Sequence, residues 1–226
     1  EMEKIKALAI DGPAGAGKST IARAVSHKLG WIYVDTGALF RAAALSLLEQ
    51  GISSEDSAAV RKAAPNLRLD LCIADGVQHV FVDGRDVSAE IRREEIGKAA
   101  SAYAREDAVR QRVIVIEREI AAREPVVMDG RDIGTVLLPN ALAKVFLTAS
   151  VEVRAKRRTA ELLEKGIEAN FEEVKRDIAA RDEQDKNRAV APLRQAEDAL
   201  LLDSSELGIA EVQQRILALV REKEAE

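Results

Sequence analysis

The sequence predicts an α/β fold built on an open parallel sheet, and three observations carry that prediction. Residues 5–10 are a short apolar run that stops at Asp11-Gly12, after which Ile21, Val25 and Leu29 recur at helical spacing and Gly30 closes the helix. Residues 31–34 form a second apolar run, and a helix over about 38–49 follows and stops at Gly51, so the chain opens β-α-β-α. Further apolar runs at 126–128, 145–147 and 199–202 supply more buried strands.

The middle of the chain has a different period. Leu67, Leu69, Leu71 and Ile73 alternate with Arg68, Asp70 and Cys72, the pattern of a half-exposed strand. Ala74-Asp75-Gly76 is a hairpin turn signal, residues 77–82 return as the partner strand, and Asp83-Gly84 implies another turn and a short third strand. Antiparallel hairpins inside an α/β chain read as an insert, placed at about 64–90. Two helices follow, the second marked by Val109, Val113, Ile116 and Ile120 on one face. Asn170 with Glu173 is a capping-box signal for a helix reaching about Asp182. Ile209, Val212, Ile216 and Leu219 form a last amphipathic helix, with a polar, fraying tail after Arg221.

A length of 226 residues suits one domain with a small insert, and 47% hydrophobic residues suffice for its core. The net charge of −5 argues against an electrostatic grip on nucleic acid, although arginine clusters can still bind small phosphorylated ligands. Cys72, the single cysteine, cannot form an intrachain disulfide, and with two histidines it makes poor material for a zinc site. No apolar run approaches the roughly 20 residues that span a bilayer. Glu1-Met2-Glu3-Lys4 lacks the apolar core of a signal peptide, and translation is expected to begin at Met2. A cytoplasmic protein with no membrane or nucleic-acid partner is expected.

Gly12-Pro13-Ala14-Gly15-Ala16-Gly17-Lys18-Ser19, followed by Thr20, matches G-x-x-x-x-G-K-[ST] between a strand and a helix. Glycines let successive backbone N–H groups converge on phosphate oxygens, and the helix beginning near Lys18 adds its positive end. Lys18 can reach the β- and γ-phosphates of ATP, and the Ser19 hydroxyl can hold Mg²⁺. The strand at 126–128 ends in Asp129, a carboxylate that can orient Mg²⁺ directly or through water. ATP hydrolases often place a glutamate next, to activate water; here Gly130 follows, which leans toward a kinase. The Asn-Lys-x-Asp signature of guanine-reading switches is absent.

The sequence suggests no histidine base, and His27 and His79 read as surface positions. An alcohol acceptor would want such a base. A nucleoside monophosphate, whose phosphate has a second pKa of about 6, is already largely dianionic and needs positioning and charge neutralisation instead. Arginines suit that task because guanidinium forks match phosphate oxygens. Candidates are Arg41, Arg131, Arg181 and Arg188, with Arg154, Arg157 and Arg158 at a helix start. Arg154 and Arg158 share one face, so a solvated helix face stays open as a reading of that group. Kinases of AMP, UMP or a small alcohol, and a nucleotide-gated switch, also remain open on these residues alone.

Four blocks, in order, resemble the bacterial cytidylate kinases: Ile-Asp-Gly-Pro-Ala-Gly-Ala-Gly-Lys-Ser-Thr at 10–20, Asp-Thr-Gly-Ala-Leu-Phe-Arg at 35–41, Asp-Gly-Arg-Asp-Ile-Gly-Thr at 129–135, and Arg-Asp-x-x-Asp-x-x-Arg at 181–188. The resemblance runs from about Ile5 to Leu219. It implies a P-loop NTPase fold with a five-stranded parallel sheet flanked by helices, a small antiparallel β insert and a short lid. It divides a single kinase domain into a core at 5–63 and 91–222, the insert at about 64–90 and the lid at about 154–166. It also implies a monomer that moves the γ-phosphoryl group of ATP, with Mg²⁺, onto CMP or dCMP.

By the same resemblance Arg41, Arg131 and Arg188 hold the CMP phosphate, and Thr36 belongs to the acceptor site. Ser101, Arg110 and Asp132 read cytosine, Arg181 and Asp185 approach the sugar, and Arg157 and Arg158 neutralise the moving phosphoryl group. The base-reading set makes chemical sense, because a carboxylate complements cytosine's amine but would face a carbonyl in uracil. Many relatives carry tyrosine where Phe40 stands, so Phe40 is expected to pack only.

Overall fold

The computed structural model describes residues 3–187 and 192–226. β1 (Ile5–Asp11) leads into α1 (Lys18–Leu29), β2 (Ile32–Tyr33), α2 (Thr36–Glu49) and the short α3 (Ser57–Ala63). Then come β3 (Leu69–Ala74), β4 (Val77–Val82) and β5 (Arg85–Asp86), followed by α4 (Glu94–Tyr103) and α5 (Asp107–Arg123). The chain finishes with β6 (Val126–Gly130), β7 (Ala141–Thr148), α6 (Val151–Glu164), α7 (Phe171–Lys186), β8 (Leu200–Asp203) and α8 (Ile209–Ala225). The expected five-stranded parallel sheet is present, in the order β2-β6-β1-β7-β8, and β3, β4 and β5 form a separate three-stranded antiparallel sheet. Two compact units emerge, one of Glu1–Trp31 with Val127–Glu226 and the other of Ile32–Val126.

In the first unit β1 is a central strand, which is why Ala7, Leu8, Ala9 and Ile10 form an unbroken apolar run with no exposure. It pairs in parallel with β7, Ile10 opposite Val145 and Asp11 opposite Phe146, and β7 pairs onward with β8. β7 is longer than the apolar run at 145–147 suggests, because Lys144 interrupts the pattern. That lysine is nevertheless buried, its Nζ donating to Pro139 O at 2.6 Å and Asp198 Oδ1 at 2.8 Å. α1 ends where expected, Gly30 adopting the left-handed conformation at φ +68°. Trp31 is buried, with Lys6 Nζ 5.4 Å from its ring centroid.

Two helix ends differ from expectation. α7 continues past Asp182 to Lys186, since Asp182 and Asp185 are buried on its inner face rather than capping its end. The tail after Arg221 is helical to Ala225; Val220 is fully buried just before it, and Glu224 pairs with Lys6 of β1 at 2.8 Å.

In the second unit β3 and β4 form the expected hairpin, Leu69 opposite Val82 and Ala74 opposite Val77. Asp75 and Gly76 both have positive φ (+51° and +74°), as a two-residue turn that follows the strand twist requires. Leu69, Leu71, Val80 and Val82 are buried, and Cys72 is half-exposed. The predicted stripe of α5 is confirmed: Val109, Val113, Ile116 and Ile120 are all buried. The short α3 carries no periodic signal, since only Val60 in it is buried; its start is set by Asp56, whose carboxylate accepts from Ala59 N at 3.0 Å.

Candidate functional site: a phosphate cradle and an arginine-lined pocket

In the first unit the turn after β1 wraps over a cavity of about 670 Å³, lined by Gly15, Lys18, Ser19, Asp129, Arg131 and Arg158 among others. Gly12 is required by its neighbour in the sheet. With φ at +155°, a Cβ there would lie 1.9 Å from the carbonyl oxygen of Leu147 in β7. Gly15 and Gly17 stand in the left-handed region at φ +75° and +84°, which bends the loop so that successive N–H groups can face one anion. Pro13 and Ala16 complete the loop, and Thr20 lies in the first turn of α1, whose N-terminal end faces the cradle.

Lys18 is buried, and its Nζ donates to Pro13 O at 2.7 Å, folding the ammonium over the loop. Burial pushes it down to about 8 from its ordinary 10.5, and the nearby Arg131 guanidinium pushes the same way against Asp129, Asp11 and Asp185. Burial leaves the Lys18 ammonium poorly solvated, so a phosphate anion brought against it would be held strongly. Ser19 Oγ donates to Asp129 Oδ2 at 2.9 Å. Those two hard oxygen donors, side by side at the cavity wall, are of the kind magnesium takes when phosphate oxygens and water complete its shell. Among the described residues no group of three or more His, Cys, Asp or Glu is placed to hold a metal by itself.

The sequence reading gave Asp11 no role beyond ending a strand. It is buried, and its carboxylate accepts from Ile133 N at 2.8 Å and Gly134 N at 2.7 Å. Burial pushes it up to about 6, against the pull of those two N–H groups. The Asp129–Thr135 block is thus pinned to the end of the central strand. It continues as a π-helical turn, Ile133–Leu137, in which Leu138 N donates to Ile133 O at 2.7 Å. An acidic residue closing an apolar strand beside a glycine-rich loop was the available signal.

The arginines of this unit sort into different environments. Arg131 Nε donates to the buried Asp185 at 2.9 Å, leaving the far end of its guanidinium toward the cavity it lines. Arg158 lines the cavity and pairs with Glu161 at 2.9 Å, and Arg181, exposed on α7, lines it too. Arg157 turns to the end of β8, its guanidinium donating to Ser204 O at 2.6 Å and Ser204 Oγ at 3.1 Å. Arg154 is not on a solvated face: it is buried against Asp182. Asp132 is half-buried at the head of the π-helical turn, and Arg188 lies outside the described residues.

In the second unit a cavity of about 530 Å³ is lined by Arg41, Arg92, Arg93, Lys98, Glu94 and Ser101 among others. Arg41 lies within 3.8 Å of Asp35, whose carboxylate also caps α2 by accepting from Ala38 N at 3.1 Å. Ser101 Oγ donates to Gly97 O at 3.4 Å. Thr36 Oγ1 donates to the buried Glu117 at 2.6 Å, and Arg110 curls onto its own helix start, donating to Ala104 O at 2.8 Å and Arg105 O at 3.2 Å. Phe40 is half-buried. Arg92, Arg93 and Lys98 were missed, because among Glu90, Glu94 and Glu95 they read as solvated charge.

Residues 8–222 match the sequence profile of the cytidylate kinases. A cytidylate kinase of Shouchella clausii is 48% identical over 95% of this chain and 96% of its own. Another, of an Exiguobacterium species, is 46% identical over 99% of this chain and the whole of its own. The chain belongs to the cytidylate kinase family. The crystal structure of TT1252 from Thermus thermophilus matches 98% of each chain at a TM-score of 0.51 and 18% identity, a likeness of fold alone. Family membership settles which kind of P-loop protein carries this cradle, a choice that the loop by itself leaves open. Among the described residues no helix is long and apolar enough to cross a membrane.

Proposed function

We infer that the chain transfers the γ-phosphoryl group of ATP to CMP or dCMP, giving ADP and CDP or dCDP in pyrimidine nucleotide metabolism. The observation that carries the reading is the near full-length family match over residues 8–222, and the intact phosphate cradle around Lys18 is its chemical counterpart. In this reading the cradle at 12–20 binds ATP through backbone N–H groups, with Lys18 on the β- and γ-phosphates. Mg²⁺ bound at Ser19 and Asp129 would supply charge neutralisation between the β- and γ-phosphates.

The acceptor enters as a dianion, so no side chain needs to remove a proton. One acceptor oxygen bonds to the γ-phosphorus as the bond to the β–γ bridging oxygen breaks, and ADP leaves with that electron pair. Arg41, Arg131 and Arg188 hold the acceptor phosphate, while Arg157 and Arg158 follow charge onto the moving group. Ser101, Arg110 and Asp132 read the base, with Thr36, Arg181 and Asp185 positioning the rest of the nucleotide. Residues 154–166 act as a lid over bound ATP, and 64–90 as an insert on a core of 5–63 and 91–222. The protein works in the cytoplasm as a monomer, without membrane or nucleic-acid partners.

The test is ADP release with CMP, dCMP, UMP, AMP or no acceptor. Turnover that requires CMP or dCMP supports the reading. Equal ADP release with no acceptor identifies a hydrolase or switch, and preference for AMP or UMP moves the chain to another acceptor class.

A further inference from the structure

Behind the cradle, on the side away from its cavity, sits a guanidinium whose donors are almost all committed to the protein. Arg154 is 3% exposed and does not line the cavity. Its Nη1 donates to Asp182 Oδ1 at 2.9 Å and its Nη2 to Asp182 Oδ2 at 2.6 Å, a two-pronged pair with a carboxylate that is itself buried. Nε donates to Ala149 O at 2.8 Å, in the turn between β7 and α6. Nη1 makes a second bond, to Ala14 O at 3.0 Å, in the middle of the phosphate-binding loop. Four of its five N–H bonds are engaged in this way, so it has little left to offer a nucleotide.

The bond to Ala14 has a consequence for the face of the loop that meets phosphate. A trans peptide is planar, with its C=O and N–H on opposite sides. Drawing the Ala14 carbonyl back toward Arg154 therefore turns the Gly15 N–H the other way, toward the cavity that Ala14 and Gly15 line. Gly15 at φ +75° permits this orientation, and nothing in the loop's own sequence selects it. A Cβ at Gly15 would rest 3.6 Å from Arg154 Cβ and 3.9 Å from Ile178 Cδ1, so Arg154 and α7 form the wall behind that peptide.

We propose that Arg154, held by Asp182, is a positioning residue that sets the 14–15 peptide so that the Gly15 N–H faces the phosphates of ATP. The proposal rests on the ATP site assigned above and makes Arg154, the first residue of the lid segment, a support of the loop rather than a ligand of ATP. Removing only one member of the buried pair leaves a charge without its partner, which threatens folding. The double variant Arg154→Met with Asp182→Leu removes both charges together and is compatible with a stable fold. It leaves Ala14 O without its donor.

The expected result is an unfolding temperature close to that of the unaltered protein, a Kd for MgATP raised on the order of 10- to 100-fold, as for loss of one hydrogen bond to a charged group, and an unchanged Kd for CMP. Arg154→Lys keeps the charge opposite Asp182 but has one nitrogen in place of the three that reach Ala149 O, Ala14 O and Asp182, so it should weaken MgATP binding in the same sense and serves if the double variant does not fold. A folded variant of either kind that binds MgATP as tightly as the parent, or that loses CMP affinity equally, overturns the proposal while leaving the kinase reading intact. Failure of the unaltered protein to bind MgATP overturns both.

Discussion

Lys18 is buried at a cost to the fold, and replacing it with methionine should expose that cost. Its ammonium, pushed by burial from 10.5 to about 8, is disfavoured in the folded state by about 3 kcal/mol at neutral pH. Methionine has a similar reach and no charge, so Lys18→Met releases that amount and forfeits about 1 kcal/mol for the hydrogen bond to Pro13 O. A net gain of about 2 kcal/mol raises the unfolding temperature of a chain this size by about 4–8 °C. The sign has a pH signature. Above about pH 8 the folded state gives up this proton while the unfolded chain keeps it up to about 10.5, so the unaltered protein gains stability across that window and the variant does not. The stability gap between the two should be full below pH 8, vanish within the window and reverse by about 1 kcal/mol, the value of the hydrogen bond to Pro13 O, by pH 10.5.

The assay is denaturant unfolding without nucleotide at several pH values, with turnover measured on the same samples. Turnover should vanish if, as proposed, this buried charge is the one that meets the γ-phosphate. A variant less stable than its parent at pH 7, a gap independent of pH, or retained turnover would refute the reasoning.

Three further outcomes follow from the same geometry. Gly12→Ala should destabilise the protein by about 3–5 kcal/mol, since the new Cβ collides with the Leu147 carbonyl oxygen at 1.9 Å, and a thermal melt checks it. Asp11, raised to about 6 from 3.8, disfavours the folded state by about 3 kcal/mol above pH 6, and that penalty fades as pH falls toward 3.8 because the folded state takes up the proton first. The unfolding free energy of the unaltered protein should therefore gain on that of Asp11→Asn by about this amount between pH 7 and pH 4. With Asp132 proposed to read the base, Asp132→Asn should lower the preference for CMP over UMP by about 10- to 100-fold in kcat/KM, and an unchanged preference would remove Asp132 from that role.

Much of the architecture was legible because its periods are strong. An apolar run of six residues ending at Asp11-Gly12 is too short for a helix and reads as a buried strand entering a turn, and the α5 stripe of Val109, Val113, Ile116 and Ile120 leaves one face to bury. What escaped were polar residues that break a local pattern and are repaired from afar. Lys144 shortened the expected strand β7, yet its ammonium is satisfied by Asp198, 54 positions along the chain. Asp182 resembled a helix end and is the buried partner of Arg154. The arginines make the point most directly: Arg154, Arg157 and Arg158 are near neighbours in one helix, but one holds the loop, one holds the end of β8 and one lines the cavity.

By itself the sequence determined the kind of chemistry on offer, since residue types at fixed local spacing specify a phosphate cradle and a supply of guanidinium groups suited to a second phosphate, while leaving the acceptor open. Only the tertiary structure decided which cation does which work. Burial, a backbone carbonyl within 3.0 Å and a carboxylate from another helix are set by chain segments more than 25 residues apart, and no local pattern encodes them. Gly12 shows both sides of this: the motif demands a glycine for its phosphate, and the fold demands the same glycine for a strand that passes 1.9 Å from where a side chain would be.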